Sequence, residues 1–247
     1  MRRLLAAEAY RQFTTYVHSW RDTVALLARS IIAMAFIAFF CASLTQPNRE
    51  FLLVSSTLIL LITNTVIGAN YEISVYARGD RAAQFFSPAT NPFDWCLAIS
   101  LIQLSLSVIL AAVCVLIFVP IHPPVDPRTT MIGTSATAII SLQLASLIGL
   151  HSARSGSFRT SSLFIGVALL FSGMLYPIST LPVAMQMVAR AIPYTYALDL
   201  ARIGYSGGSY SLDPSASVRT VALTLLLLTL LPALVRLRAH LDTPYDR

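Results

Sequence analysis

The sequence predicts an all-α polytopic membrane protein with six transmembrane helices. Of its 247 residues, 56% are hydrophobic and 11% charged, where a soluble domain carries roughly 45–50% and about 25%. The mean hydropathy of +0.71 points the same way. Charge-free runs cover residues 30–48, 51–71, 95–125, 129–153, 160–189 and 220–235, and a run near or above about 18 residues is long enough to cross a bilayer as a helix. The last run is short, but Val218 and a snorkelling Arg219 extend it. Soluble classes are nearly excluded, and residues 1–247 read as a single transmembrane domain.

Taken in order, the elements justify that layout. The first 23 residues lack an apolar core followed by a small-residue cleavage site, so they read as retained rather than as a signal peptide. Phe13, Tyr16, Val17, Trp20 and Val24 recur at helical spacing with Arg11, Thr15, His18 and Asp22 opposite. This is an amphipathic helix lying in the cytoplasmic interface over 1–23. It serves equally well as a plain anchor or as a grip on a partner.

After the second span comes a polar cytoplasmic loop, 72–94. Asp80 is a candidate N-cap and Pro88 biases Ser87 away from the helical region, which predicts a short helix over 81–86. Asn91 and Pro92 then look like the cap and first turn of the third span. The connection PIHPPVDPR, 120–128, is a stiff turn. In the fifth run Pro177 and Pro182 break the chain. The stretch that follows is too polar at Arg190, Asp199 and Arg202 for a simple span and too apolar for a free loop. Broken helices near the outer surface fit it, giving an external re-entrant hairpin over 177–217 between spans five and six. Within it GYSGGSYS, 204–211, reads as a flexible turn.

Orientation follows from arginine. With the N-terminus inside, twelve arginines (2, 3, 11, 21, 29, 78, 81, 154, 159, 236, 238 and 247) fall on the inner side and five (49, 128, 190, 202 and 219) on the outer. That is the expected positive-inside bias, with both termini cytoplasmic and the chain multi-pass in the cytoplasmic membrane.

Much chemistry is excluded. All 17 basic residues are arginine, as a GC-rich genome favours, so the chain lacks the lysine of a Walker A phosphate loop or of a Schiff-base enzyme. The arginines are scattered between spans rather than gathered on one face, which argues against nucleic acid. Cys41, Cys96 and Cys114 lie in or at the ends of apolar segments and show no metal spacing; an odd number argues against a disulfide framework, and a Cys41–Cys114 bridge stays open. The histidines, His18, His122, His151 and His240, form no set. Beyond Arg29, near the inner end of the first span, no span has a charged residue in its middle. That counts against an ion-coupled antiporter and an intramembrane hydrolase. Polar uncharged residues do occur there: Thr63, Asn64 and Thr65, then Ser100, Gln103 and Ser107, then Ser141, Gln143 and Ser146. Asn64, Ser100, Gln103, Ser107 and Gln143 are the candidate pathway-lining residues, although interhelical hydrogen bonding accounts for the same set. Gly166 and Gly173 read as close-packing sites.

A membrane body with an elaborate loop on each side and no energy source of its own needs a motor. Gly79 followed at the eighth residue by Ser87 and then Pro88 is similar to a pattern in the type-2 permeases of ATP-binding-cassette exporters. The usual Glu-x-Gly-Thr has Ala77 for its acid and Asp80 for its threonine, and Glu72 lies further upstream. A second string resembles the same family: Ser172, Gly173 and Pro177, then Leu181 and Pro182, then Pro193, Thr195, Tyr196, Asp199 and Arg202. With the six-span layout, the resemblance covers essentially the whole chain.

The resemblance implies a permease subunit that is not itself an enzyme and carries no catalytic residue, metal or cofactor, ATP and magnesium belonging to separate cytoplasmic ATPase subunits. A second copy or a sister permease, and membrane lipids, are the other implied partners. Gly79, Arg81, Gln84, Phe85, Phe86, Ser87 and Pro88 would couple to the ATPase as a short coupling helix. Gly173, Pro177, Leu181, Pro182, Pro193, Asp199 and Arg202 would build the external hairpin. A hydrophobic or amphipathic substrate, in the manner of drug and antibiotic exporters, would move outward. The competing readings are a motor-independent channel or facilitator and a non-transporting scaffold.

Overall fold

The computed structural model describes residues 46–78, 92–118, 123–155, 170–174, 177–207 and 216–227, together with Ala7, Tyr10, Arg11, Thr14, Leu163, Gly166, Val167 and Leu230. All regular structure among the described residues is helical, as an all-α membrane protein requires. The expected helix at 81–86 and almost all of the expected first span lie outside them.

Among the described residues, three long helices form the body: α1, Gln46–Arg78; α2, Pro92–Phe118; and α3, Pro127–Ser155. Segments of all three are long and apolar enough to cross a membrane, over Glu50–Arg78, Pro92–Val113 and Pro127–Ala153. At 33 residues, α1 is about 50 Å long and overshoots a hydrocarbon core of about 30 Å. It outruns the charge-free stretch 51–71 at both ends, and residues 46–48, which that pattern put in the first span, open α1 instead. Helical hydrogen bonding continues through Glu50 and Glu72 because neither acid breaks a helix, and both sit where the helix leaves the apolar layer. The third span is shorter than its apolar run: Pro123 and Pro124 lie outside any helix, and without amide hydrogens they cannot take part in regular helical pairing.

Alternating directions bring α1, α2 and α3 into mutual contact. Their shared core is tight, with Val66, Ala69 and Ile73 of α1, Cys96 and Ile99 of α2, and Ile140 and Ala145 of α3 fully buried. Outward, Ile109 and Ile139 are exposed, as residues facing lipid are.

Beyond the body the chain turns at Ser172–Met174, where Gly173 has φ 76°, a conformation that costs a residue with a Cβ. A 3₁₀ turn, Ile178–Thr180, leads to α4, Val183–Ala191, and α5, Pro193–Ser206. A short apolar helix, α6, Ala216–Leu227, follows. One expectation is corrected: the glycine-serine stretch does not become a turn at 204. Helix α5 runs on to Ser206 and is capped by Gly207 at φ 74°, because Gly204 is packed and hydrogen-bonded within the bundle rather than loose.

Candidate functional site

The hairpin is built residue by residue from its prolines. Pro177 precedes the 3₁₀ turn, and its carbonyl accepts from the Thr180 backbone at 3.1 Å and from Thr180 Oγ1 at 2.7 Å. Leu181 links this turn to α4, its carbonyl accepting from Gln186 Nε2 at 2.8 Å. Pro182 is the exposed N-cap of α4. Pro193 occupies the first position of α5, where a missing amide hydrogen costs nothing. The elbow between α4 and α5 is closed by Thr195 Oγ1 donating to the Ala189 carbonyl at 2.6 Å and Tyr196 Oη to that of Arg190 at 2.9 Å.

Helix α5 does not lie on the surface. It packs chiefly against α3 and also against α1, with Tyr194, Ala197, Leu198, Asp199, Ala201 and Arg202 all buried. Two glycines allow the close crossing. A Cβ on Gly133 would collide with the Ala201 backbone, and one on Gly204 with the Thr130 backbone. Small residues are what let helix backbones approach inside a membrane. Tyr194 Oη donates to Ser141 Oγ at 3.1 Å at one end of this contact. At the other, the backbone amides of Val125 and Asp126 donate to the carbonyls of Tyr205 and Gly204 at 3.1 and 2.7 Å.

Asp126 also caps α3, accepting from the Arg128 amide at 3.0 Å and from Thr129 Oγ1 at 2.6 Å. The Thr129 hydroxyl foremost, with the neighbouring amides and the Arg128 charge, holds its carboxyl below the usual carboxylate range. Tyr205 is pushed above the usual phenol range, first by burial and then by the charge of Glu50.

Arg202 is the centre of the arrangement. Only 2% exposed, it donates from Nη2 to Ser55 Oγ at 2.6 Å, to the Gly173 carbonyl at 2.7 Å and to the Met174 carbonyl at 3.3 Å. Its guanidinium carbon lies 3.8 Å from the centre of the Phe51 ring, a close cation–π contact. One side chain therefore ties α5, the 173–174 turn and the hairpin end of α1 together. Asp199 lies one turn earlier on the same helix and is equally buried.

A second junction forms at the far end of α1. Arg11 donates to Glu72 Oε2 at 3.2 Å, and its guanidinium carbon sits 4.6 Å from the centre of the Tyr76 ring. Tyr76 in turn meets Trp95 of α2 with ring centres 5.9 Å apart. Arg11 is thereby tied to α1, and Tyr76 joins α1 to α2, the two helices that flank the 79–91 loop. The loop residues Gly79, Arg81, Gln84, Phe85, Phe86, Ser87 and Pro88 lie outside the described residues.

The candidate pathway residues are placed as follows. Ser100, Gln103 and Ser107 share a buried edge of α2, and Ser107 Oγ donates back to the Gln103 carbonyl at 2.7 Å. Asn64 on α1 and Gln143 on α3 are half-buried, with Gln143 Oε1 shielded and without a hydrogen-bond partner. Of the two fifth-span glycines, Gly166 has open space around it, and Gly173 makes the break itself. Among the described residues no group of His, Cys, Asp or Glu is arranged to hold a metal ion.

Sequence reasoning named Ser141 as a polar residue fit for interhelical hydrogen bonding, which its bond from Tyr194 shows, but it missed Ser55 and Phe51 as partners of Arg202 and the pairings of Tyr194 with Ser141 and of Arg11 with Glu72. The hydrogen-bonded pairs among these lie 53, 61 and 147 residues apart, and Phe51 lies further still from Arg202, beyond any local pattern. Glu72 carried a weak signal as an acid just inside a helix end.

The family model for ABC-2 type transporters matches residues 3–205, taking in α1 to α4 and nearly all of α5. No curated protein matches the chain. A match over most of the length, on a body of membrane-crossing helices carrying a buried hairpin helix, identifies the chain as a member of the ABC-2 type transporter family, the membrane-spanning permease component of an ATP-binding-cassette transporter.

Proposed function

We propose that this permease moves a hydrophobic or amphipathic molecule outward across the cytoplasmic membrane, as one of a pair of permeases driven by two separate ATPase chains. The observation that carries the reading is that one unbroken helix, α1, holds both junctions. Its one end bears the Arg11–Glu72 contact beside the 79–91 loop, and its other bears the Arg202 clamp on the hairpin. A push on the loop is therefore delivered roughly 35–40 Å away along the helix, at the Phe51 and Ser55 end, without a hinge between. Supporting it, a chain without a single lysine has no Walker A group with which to spend ATP itself.

The test lies in the loop. Phe85 and Phe86 are consecutive on the expected short helix and point about 100° apart, so at least one ring faces away from the permease. A polar loop exposes such a ring only where a partner covers it. The double variant Phe85→Ala with Phe86→Ala is expected to insert and fold normally, yet release the ATPase or uncouple transport from hydrolysis, with association weakened by about 2 kcal/mol or more. Co-purification, vesicle transport and thermal stability are measured together, and the permease purified alone should turn over no nucleotide. Unchanged association and transport would sink the docking role. Transport that needs no ATPase would favour a facilitator.

A further inference from the structure

A cavity of about 430 Å³ opens in the hairpin-side half of the body, lined by Leu58 and Leu61 of α1, Val108 and Ala112 of α2, and Met131 and Ala138 of α3 among others. That volume is at the lower end of the roughly 300–1,000 Å³ range of ligand sites. It exists because small residues, Ala111, Ala112, Ser135 and Ala138, stand where the three helices would otherwise meet.

Its lining is apolar even where the residue types are not. The hydroxyls of Thr57, Thr130 and Thr134 are each turned back to a carbonyl of their own chain, Leu53, Asp126 and Thr130, at 3.0, 2.9 and 2.8 Å, which leaves their methyl groups for the cavity. Water needs two to four polar partners and finds few here.

The opening has a direction. The α1 wall is deep, with Leu58 and Leu61 at most 2% exposed, whereas Val108 and Met131 at the rim are 45% and 69% exposed. The mouth therefore lies between α2 and α3 and faces the bilayer. Along α3 the lining runs from Pro127 to Ala138, a rise of roughly 16 Å, which matches one leaflet of a core about 30 Å thick.

We propose that this cavity is a binding site for a hydrocarbon chain, occupied by one acyl chain of a lipid from the hairpin-side leaflet. Lipid tails are as apolar as leucine, so nothing hydrophobic drives a chain out of the bilayer into the protein. What favours occupancy is that an unfilled cavity forfeits the dispersion contacts of its whole lining. The inference does not depend on the direction of transport or on the substrate.

The full-length permease in lipid nanodiscs containing phosphatidylcholine with a diazirine on the last acyl carbon tests this. After photolysis, adducts should concentrate several-fold on Leu61 and Ala138 over Ile109 and Ile139, which face lipid outside the cavity. Filling the space by Ala112→Leu, or more fully by Ala138→Phe, should remove the cavity adducts and leave those at Ile109 and Ile139 unchanged. Because the unmodified protein alone supplies the first ratio, a filled variant that misfolds does not spoil the test. Even labelling of cavity and outer residues would overturn the site. Two further arms use the permease assembled with its ATPase: cavity adducts lost on assembly would assign the space to a partner chain, and adducts that fall only during ATP turnover would assign it to a transported molecule. Adducts indifferent to both support a resident lipid chain.

Discussion

Replacing Arg202 by methionine keeps most of the volume and removes every donor that reaches Ser55 and the carbonyls of Gly173 and Met174. Ser55 Oγ keeps its bond to the Phe51 carbonyl at 2.6 Å, but the buried carbonyls of Gly173 and Met174 lose a charged donor, so the expected loss is about 3 kcal/mol. Arg202→Lys should fall between, because an ammonium cannot span donors as a planar fork does or stack on Phe51 in the same way. Thermal unfolding in detergent, together with protease sensitivity of the 173–182 segment, measures both. A methionine variant within about 0.5 kcal/mol of the parent would show the clamp to be ornamental. The sequence marked Arg202 and Asp199 as residues of a packed hairpin but did not show what buries them. Hydropathy scores a residue by itself, and the partner that makes burial of an arginine tolerable, Ser55, lies 147 positions away.

Among the elements, the crossing of α3 and α5 rests on two glycines in contact with backbone, which cannot move aside as a side chain can. Gly133→Ala and Gly204→Ala are each expected to destabilise the permease by about 1–3 kcal/mol, as overpacking of a close contact does. Gly166→Ala, with open space around it, should be near neutral in the same unfolding assay. Equal effects at all three positions would mean that the crossing is not the tight point. Charge-free runs located the middles of α1, α2 and α3 well and their ends poorly. A run ends at the first charged residue, but a helix ends where its hydrogen bonding is interrupted, and Pro123 and Pro124, inside the apolar run, are already outside any helix. The glycine at 204 misled for a related reason: a residue that permits a turn also permits two backbones to touch, and local sequence does not say which.

For the whole molecule, the decisive quantity is the sidedness that arginine counting predicts. In a cysteine-free background, cysteines at Ser209 and Ser155 should react differently with an impermeant thiol reagent added from outside, Ser209 being labelled and Ser155 protected. Labelling only at Ser155 would invert the orientation and with it the outward direction of transport. The membrane class and the family were legible because composition and two ordered motifs extend over the chain. The two junctions on α1 were not, since each joins segments that only the folded arrangement brings together.

The Arg202 clamp also sets an order of events during synthesis. Ser55 and Gly173 leave the ribosome before Arg202 does, and the interval between positions 55 and 202 is 147 residues, roughly 7–30 s of chain growth at about 5–20 residues per second. In the last part of that time, once the chain has grown past Ser155, α1, α2 and α3 are complete with the slot for α5 vacant and the Phe51 face uncovered. Maturation is therefore finished from the C-terminal side, and a nascent permease stalled before residue 202 is a half-closed bundle whose open seam is a natural target for membrane quality-control proteases.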